Sequence, residues 1–184
     1  MKAFNTIIFF AILTSSVFSQ GISLAPADKA VVYFARPSAL GFAINFSYFD
    51  SAKLIGRFNG SKYIRYECEP GKHLFWARSE NRSFVKAELE AGKIYFLKAD
   101  PRMGALKAGV NLIPVNPDNP SEMKNIIKLI EKKPAESFTE QQLADDVRDL
   151  KDAIDRGLAK YQEDKAKGKT YDILEKSKYY KGAN

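Results

Sequence analysis

Residues 63–78 read Tyr-Ile-Arg-Tyr-Glu-Cys-Glu-Pro-Gly-Lys-His-Leu-Phe-Trp-Ala-Arg, and this stretch indicates the fold more clearly than any other. Aromatic and branched side chains alternate with polar ones on both sides of Pro70-Gly71, a pattern typical of two β-strands. Proline and glycine at the centre predict a tight turn. We therefore expect an antiparallel hairpin in which Cys68 faces His73 and Tyr66 faces Phe75.

Similar short runs continue on both sides of this stretch, and turn residues separate them at the spacing of a sandwich or barrel. The predicted strands are Ala30–Arg36, Phe42–Phe49, Leu54–Phe58, Tyr63–Cys68, Leu74–Arg78, Phe84–Leu89, Ile94–Lys98 and Val110–Val115. A long loop, Asp100–Gly109, separates the last two. Since several runs alternate between an apolar and a polar face, we predict a mainly β fold, an antiparallel β-sandwich of about seven to eight strands.

Two helices are predicted after the strands. Asn119-Pro120 places a capping residue and a proline at a helix start, and Thr139 with Gln142 forms a capping-box pattern at a second start. The second helix carries an apolar seam from Leu143 to Tyr161 that Gly157 interrupts. This seam packs either against the β-domain or the first helix, or against a second copy as a coiled coil. After Lys165 the polar, lysine-rich chain is expected to fray.

The N-terminal residues have the pattern of a cleaved signal peptide. Lys2 precedes an apolar run, Ile7–Leu13, that is too short to span a bilayer, and small residues stand before Gln20. We expect cleavage near Ser19/Gln20 and a secreted or periplasmic mature protein without a transmembrane segment. The chain then divides into a signal peptide (1–19), a basic β-sandwich domain (20–116) and a helical C-terminal extension (117–184).

The charge distribution limits the classes of partner. The formal net charge is +7, and nearly all of the excess positive charge of the mature chain lies before Ile113. Basic surfaces attract anionic partners. Because export argues against nucleic acid, the candidates are anionic glycans, lipid headgroups and acidic proteins; a basic surface that serves solubility alone is the alternative.

Four residues of the predicted hairpin form the candidate ligand-binding site. In the expected register Tyr63, Arg65, Trp76 and Arg78 share the outer face. Aromatic and cationic side chains in one patch stack on sugars and hold anions. The same residues also occur where an arginine merely covers a tryptophan, or where the C-terminal helices cover the sheet.

An enzymatic role requires Cys68 and His73, each the only residue of its type. A thiolate–imidazole pair is the minimum for a cysteine nucleophile, but no third catalytic group accompanies it. One histidine and one cysteine also cannot complete a zinc site. We therefore expect no enzymatic activity, no catalytic residue, no metal and no cofactor. Asn45, Asn59 and Asn81 begin N-glycosylation acceptor triplets, whose use the sequence leaves open.

Three segments resemble a bacterial family of exported proteins that is classed as a domain of unknown function. They are Val31-Val32-Tyr33-Phe34-Ala35-Arg36-Pro37-Ser38, Glu69-Pro70-Gly71-Lys72-His73 and Glu90-Ala91-Gly92-Lys93-Ile94-Tyr95-Phe96. The resemblance covers Lys29 to Val115 and implies an exported β-sandwich without catalytic residues to carry over. Many proteins of that family look like lipoproteins, whereas this chain has no lipid-accepting cysteine at the predicted cleavage site.

These observations lead to two functional hypotheses. The first is a non-enzymatic, exported cell-envelope binding module of unknown specific role that contacts an anionic glycan or envelope polymer through its basic and aromatic β face. The alternative is a structural or assembly subunit that recruits a protein partner through its long C-terminal helix.

Overall fold

A computed structural model describes residues 21–103 and 108–182 of the chain. The predicted signal peptide lies outside the described residues. The elements are β1 (Ala30–Arg36), β2 (Phe46–Asp50), β3 (Lys53–Phe58), β4 (Lys62–Cys68), β5 (Gly71–Arg78), β6 (Arg82–Leu89), β7 (Ile94–Met103), β8 (Ala108–Pro114), α1 (Pro120–Lys132), α2 (Glu140–Ala166) and β9 (Asp172–Leu174).

The strands form two sheets that pack face to face. The first sheet has the order β4-β1-β7-β8 and the second has the order β3-β2-β5-β6-β9. Most neighbouring strands are antiparallel, but β1 pairs with β7, and β6 with β9, in parallel. The predicted β-sandwich followed by two helices is therefore confirmed. The sheets are mixed rather than wholly antiparallel, because the alternation of side chains is the same in both kinds of sheet.

The predicted hairpin around Pro70-Gly71 is wrong. β4 pairs with β1 in the first sheet, whereas β5 pairs with β2 and β6 in the second. Cys68 therefore lies opposite Ala30, and His73 lies opposite Ala87. Gly71 has a φ of 122°, a conformation that favours glycine, at the point where the chain crosses between the sheets.

The reason for this error is that both faces of the sandwich sheets are covered. Apolar residues between the sheets form the inner core, which includes Phe34, Tyr48 and Phe75. A second cluster joins the outer face of the first sheet to α1, and a third joins the outer face of the second sheet to α2. A strand covered on both faces has apolar residues on each, so its pattern does not specify its partner.

The two helices begin as predicted and complete a four-layer structure. Asn119 accepts a hydrogen bond from the Ser121 backbone, and Thr139 forms a capping box with Gln142. The apolar seam of α2 packs on the second sheet, which decides between the packing alternatives for these residues. Within the described residues, no helix is long and apolar enough to cross a membrane.

Two segments differ from the sequence-based prediction. β7 continues to Met103 and β8 begins at Ala108, so the predicted long loop between residues 100 and 109 is largely strand. The chain after α2 is also ordered, since β9 pairs with β6 and Leu174 is fully buried. Its backbone then reaches the first sheet, where the Tyr180 N–H donates to the Ile94 carbonyl. The prediction of a fraying tail is therefore wrong.

Candidate functional site

The structure separates the four residues that the sequence placed in one patch. Tyr63 and Arg65 belong to β4 on the outer face of the first sheet, where Tyr63 joins the cluster beneath α1. Trp76 and Arg78 belong to β5 on the outer face of the second sheet, where Trp76 joins the cluster beneath α2. The predicted aromatic and cationic patch is therefore not formed, because β4 and β5 lie in different sheets.

Tyr63 and Arg65 make structural contacts. Tyr63 is 6% exposed, and its hydroxyl donates to the Lys133 carbonyl at 3.1 Å. Arg65 donates to the Leu24 carbonyl and pairs with Glu67. These contacts hold the N-terminal segment and the end of α1 on the first sheet.

Trp76 is fully buried and cannot stack on a ligand in this conformation. Its ring lies 3.9 Å from the Phe49 ring, centroid to centroid, and its indole N–H donates to the Ser51 carbonyl at 2.8 Å. Gly157 of α2 packs against its other side, since a Cβ at that position would lie 2.6 Å from Trp76 Cη2. The glycine that interrupts the α2 seam is thus the place where the indole fits.

Arg78 stands in a row of arginines that we call the arginine row: Arg57, Arg78, Arg82 and Arg156. Arg78 lies opposite Arg82 across β5 and β6, and opposite Ser47 across β5 and β2. Ser47 in turn lies opposite Arg57 on β3. Strand register therefore places three arginines on one outer face, and Arg156 of α2 lies close enough to act on Arg78 electrostatically.

The positive charges in this row are only partly neutralised. Arg57 pairs with Asp146 at 3.3 Å, and Arg156 pairs with Asp152 at 3.9 Å. Across residues 21–103 and 108–182, the side chains of Arg78 and Arg82 have no carboxylate or carbonyl acceptor, and Arg82 Nε is buried without a partner. Burial lowers the pKa of Arg78, and the charges of Arg82, Arg57 and Arg156 lower it further.

This geometry is suited to holding an anion. Each guanidinium is planar and offers several N–H donors that fit carboxylate, sulfate or phosphate oxygens. Like charges side by side repel each other, and an anion between them replaces the repulsion with hydrogen bonds. The row therefore has both the donors and the electrostatic reason to bind anionic groups.

Sequence reasoning named Arg78 but missed the other three arginines. One signal was present, because Arg78 and Arg82 flank the predicted turn at Glu80-Asn81 and a hairpin there places them face to face. Arg57 and Arg156 could not be found in this way. Their positions depend on the strand order of the second sheet and on the packing of α2.

Cys68 and His73 do not form a catalytic pair. Cys68 is buried, its thiol donates to the Ala30 carbonyl at 3.8 Å, and burial raises its pKa to about 12. A thiol with such a pKa is protonated at neutral pH and is a poor nucleophile.

His73 is held by two acceptors. Its Nδ1 lies 2.8 Å from Asp50 Oδ2, and its Nε2 lies 2.8 Å from the Glu69 carbonyl oxygen. Since both partners accept, both ring nitrogens carry protons, and the hydrogen bond to Asp50 is the main cause that raises the pKa of His73. This arrangement holds the crossing between the sheets. Among the residues that the structure describes, no group of three His, Cys, Asp or Glu side chains could hold a metal ion.

The acceptor triplets differ in their surroundings. Asn45 and Asn59 are exposed. The Asn81 side chain donates to the Val110 carbonyl and accepts from the Val110 N–H, so it takes the place of a neighbouring strand beside β8. A glycan on Asn81 would remove this pairing.

Comparison with known proteins adds no relative: no protein-family model matches the chain, and no curated protein matches it. The resemblance to an exported bacterial family therefore stays a prediction from the three quoted segments.

Proposed function

We propose that this protein is an exported, non-enzymatic binding module of the cell envelope that holds an anionic polymer on its arginine row. The observation that supports this most strongly is the position of Arg78, which faces Arg82 and lies in line with Arg57 while no acceptor neutralises it within the described part of the chain. The envelope location rests on the predicted signal peptide.

The length of the row favours a polymer over a small ion. Arg57 lies on β3 and Arg82 on β6, which are three strand spacings apart in the second sheet. At about 4.8 Å for each spacing, the row extends about 14 Å. A single phosphate or carboxylate cannot contact both ends, whereas a chain with repeated anionic groups can.

The alternative, a partner recruited by the long helix, has less support. The apolar seam of α2 packs on Phe49, Leu54, Trp76 and Phe84 of the second sheet. The outward face of α2 consists mainly of charged side chains, which pair with each other along the helix, as Lys151 does with Asp155. We therefore do not propose a second function.

Titration with dextran sulfate tests the proposal, with uncharged dextran as the ligand control. The double substitution Arg78→Gln and Arg82→Gln removes the two arginines without an acceptor. We expect it to weaken the binding of dextran sulfate at least about tenfold, since two charge-assisted contacts are lost.

The matched control is Arg148→Gln with Lys151→Gln, which removes the same charge from the exposed side of α2. We expect this control to change the dissociation constant by less than about twofold, because exposed charges act weakly at this distance. Equal losses in both variants would show that net charge alone drives binding and would contradict the site.

A further inference from the structure

The loop between β1 and β2 exposes two large apolar side chains. Leu40 is 53% exposed and Phe42 is 72% exposed, although each is long enough to reach a core. They stand two residues apart at the tip of the loop 37–45, which we call the apolar tip. Exposed apolar side chains that lie next to each other are a common mark of a binding surface.

The loop is held in this shape by Arg36. The guanidinium of this fully buried residue donates to the carbonyls of Leu40 at 2.9 Å, Gly41 at 2.7 Å and Ile44 at 2.8 Å. It also lies 3.9 Å above the Phe46 ring. The backbone of the tip is thus fixed from below, and its apolar side chains remain directed to solvent.

A basic groove begins where this loop leaves β1. The groove has a volume of about 650 Å³ and lies between α1 and the ends of the first-sheet strands. Pro37 and Ser38 of the loop line it on one side. Four lysines line it further along, Lys98, Lys128, Lys132 and Lys133, against two carboxylates, Asp100 and Glu122. The surface beside the apolar tip is therefore positive.

We propose that the apolar tip and this basic groove dock the protein on a bilayer that contains anionic lipid. Apolar side chains enter the boundary between headgroups and acyl chains, and nearby lysines attract the negative surface. Each signal alone binds weakly, and the two together bind more strongly. This surface is separate from the arginine row, which lies on the outer face of the second sheet, so the docking goes beyond the proposed polymer binding.

Vesicle co-sedimentation tests the proposal with the mature chain. One vesicle preparation contains phosphatidylcholine alone, and the other contains an equal mixture of phosphatidylcholine and phosphatidylglycerol. We expect binding to the mixed vesicles only. Absence of binding to them, or equal binding to both preparations, would overturn the proposal.

Two variants test the two parts of the surface. Leu40→Ser with Phe42→Ser should lower the partition coefficient on mixed vesicles at least about tenfold, since two apolar side chains no longer leave water. The matched control is Leu24→Ser with Val147→Ser, which changes two other exposed apolar residues and should have no effect. Lys128→Gln with Lys132→Gln should weaken binding about tenfold.

Two outcomes separate this surface from other occupants. The Arg78→Gln and Arg82→Gln variant should keep full vesicle binding, so that failure of the polymer proposal leaves this one testable. An equal loss in the tip variant and in its control would overturn the docking proposal. Self-association that depends on Leu40 and Phe42 in sedimentation would also overturn it, because the tip would then bind a second copy.

Discussion

Arg36 and Arg78 stand at the ends of neighbouring regions of the sandwich, yet their guanidinium groups meet opposite surroundings. Arg36 is fully buried and donates to three backbone carbonyls of the loop 37–45. Arg78 is partly buried, faces Arg82, and has no acceptor within the described residues. The first cation holds the protein's own backbone, whereas the second leaves its donors free for a ligand.

This difference shows how a positive charge can be assigned to folding or to binding. A charge that the fold has surrounded with acceptors contributes to stability, and its removal leaves buried carbonyls without a donor. A charge that the fold places beside other charges of the same sign adds little to stability. Sequence alone gives both residues the same chemistry.

The largest expected effect is on the Arg36 side of this comparison. Arg36→Ala should lower the free energy of unfolding by about 3 to 5 kcal/mol, because three carbonyls lose a charged donor and a large buried side chain is removed. Urea denaturation measures this change. Arg78→Ala is the matched control and should stay within about 0.5 kcal/mol of the parent protein. Equal losses at the two positions would contradict the comparison.

The next effect concerns the contact that places α2 beside the arginine row. Gly157→Ala should lower the free energy of unfolding by about 1 kcal/mol, since the new Cβ would lie 2.6 Å from Trp76 Cη2. Helix propensity alone predicts the opposite, a gain of about 1 kcal/mol. Thermal denaturation distinguishes the two.

The exposed Ala159 of the same helix provides the control for that experiment. Ala159→Gly should cost about 1 kcal/mol through propensity alone. If Gly157→Ala stabilised the protein, the contact between Trp76 and α2 would be wrong, and so would the position of Arg156 beside Arg78.

A smaller effect comes from His73, a third cation, which resembles Arg36 in that both of its donors have acceptors. The hydrogen bond to Asp50 raises its pKa above the ordinary 6.5 in the folded protein. Its contribution to stability is therefore complete below about pH 6.5 and is lost as the pH rises through the raised pKa.

We accordingly expect the free energy of unfolding to fall as the pH rises from 6.5 into the mildly alkaline range. Urea denaturation at several pH values measures the slope, and His73→Gln should remove most of it. A slope that is unchanged in this variant would show that His73 is not held in its charged form.

Much of the local structure could be predicted from the sequence, but the pairing of strands could not. Ala30–Arg36 was predicted with the bounds that the structure shows, and Asn119 and Thr139 marked both helix starts. These features depend on neighbouring residues. The partners of β4 and β5 depend on which sheet each strand joins, and strands that are apolar on both faces do not reveal this.

The candidate site followed the same division. Arg78 was named in the sequence, but its predicted neighbours Tyr63 and Arg65 lie on the other sheet, and Trp76 is covered by α2. The order β3-β2-β5-β6 brings Arg57 and Arg82 into line with it. The end of the chain was missed for a related reason, since a three-residue strand such as β9 depends on its partner rather than on its own pattern.

The measurement that tests the central claim most directly is the salt dependence of dextran sulfate binding. Each cation that contacts the polymer releases about one counterion, which steepens the fall of the binding constant with salt. The slope should become shallower by about two in the Arg78→Gln and Arg82→Gln variant, and it should stay unchanged in the Arg148→Gln and Lys151→Gln control. Identical slopes in the parent protein and both variants would contradict the claim that the arginine row contacts the anionic ligand.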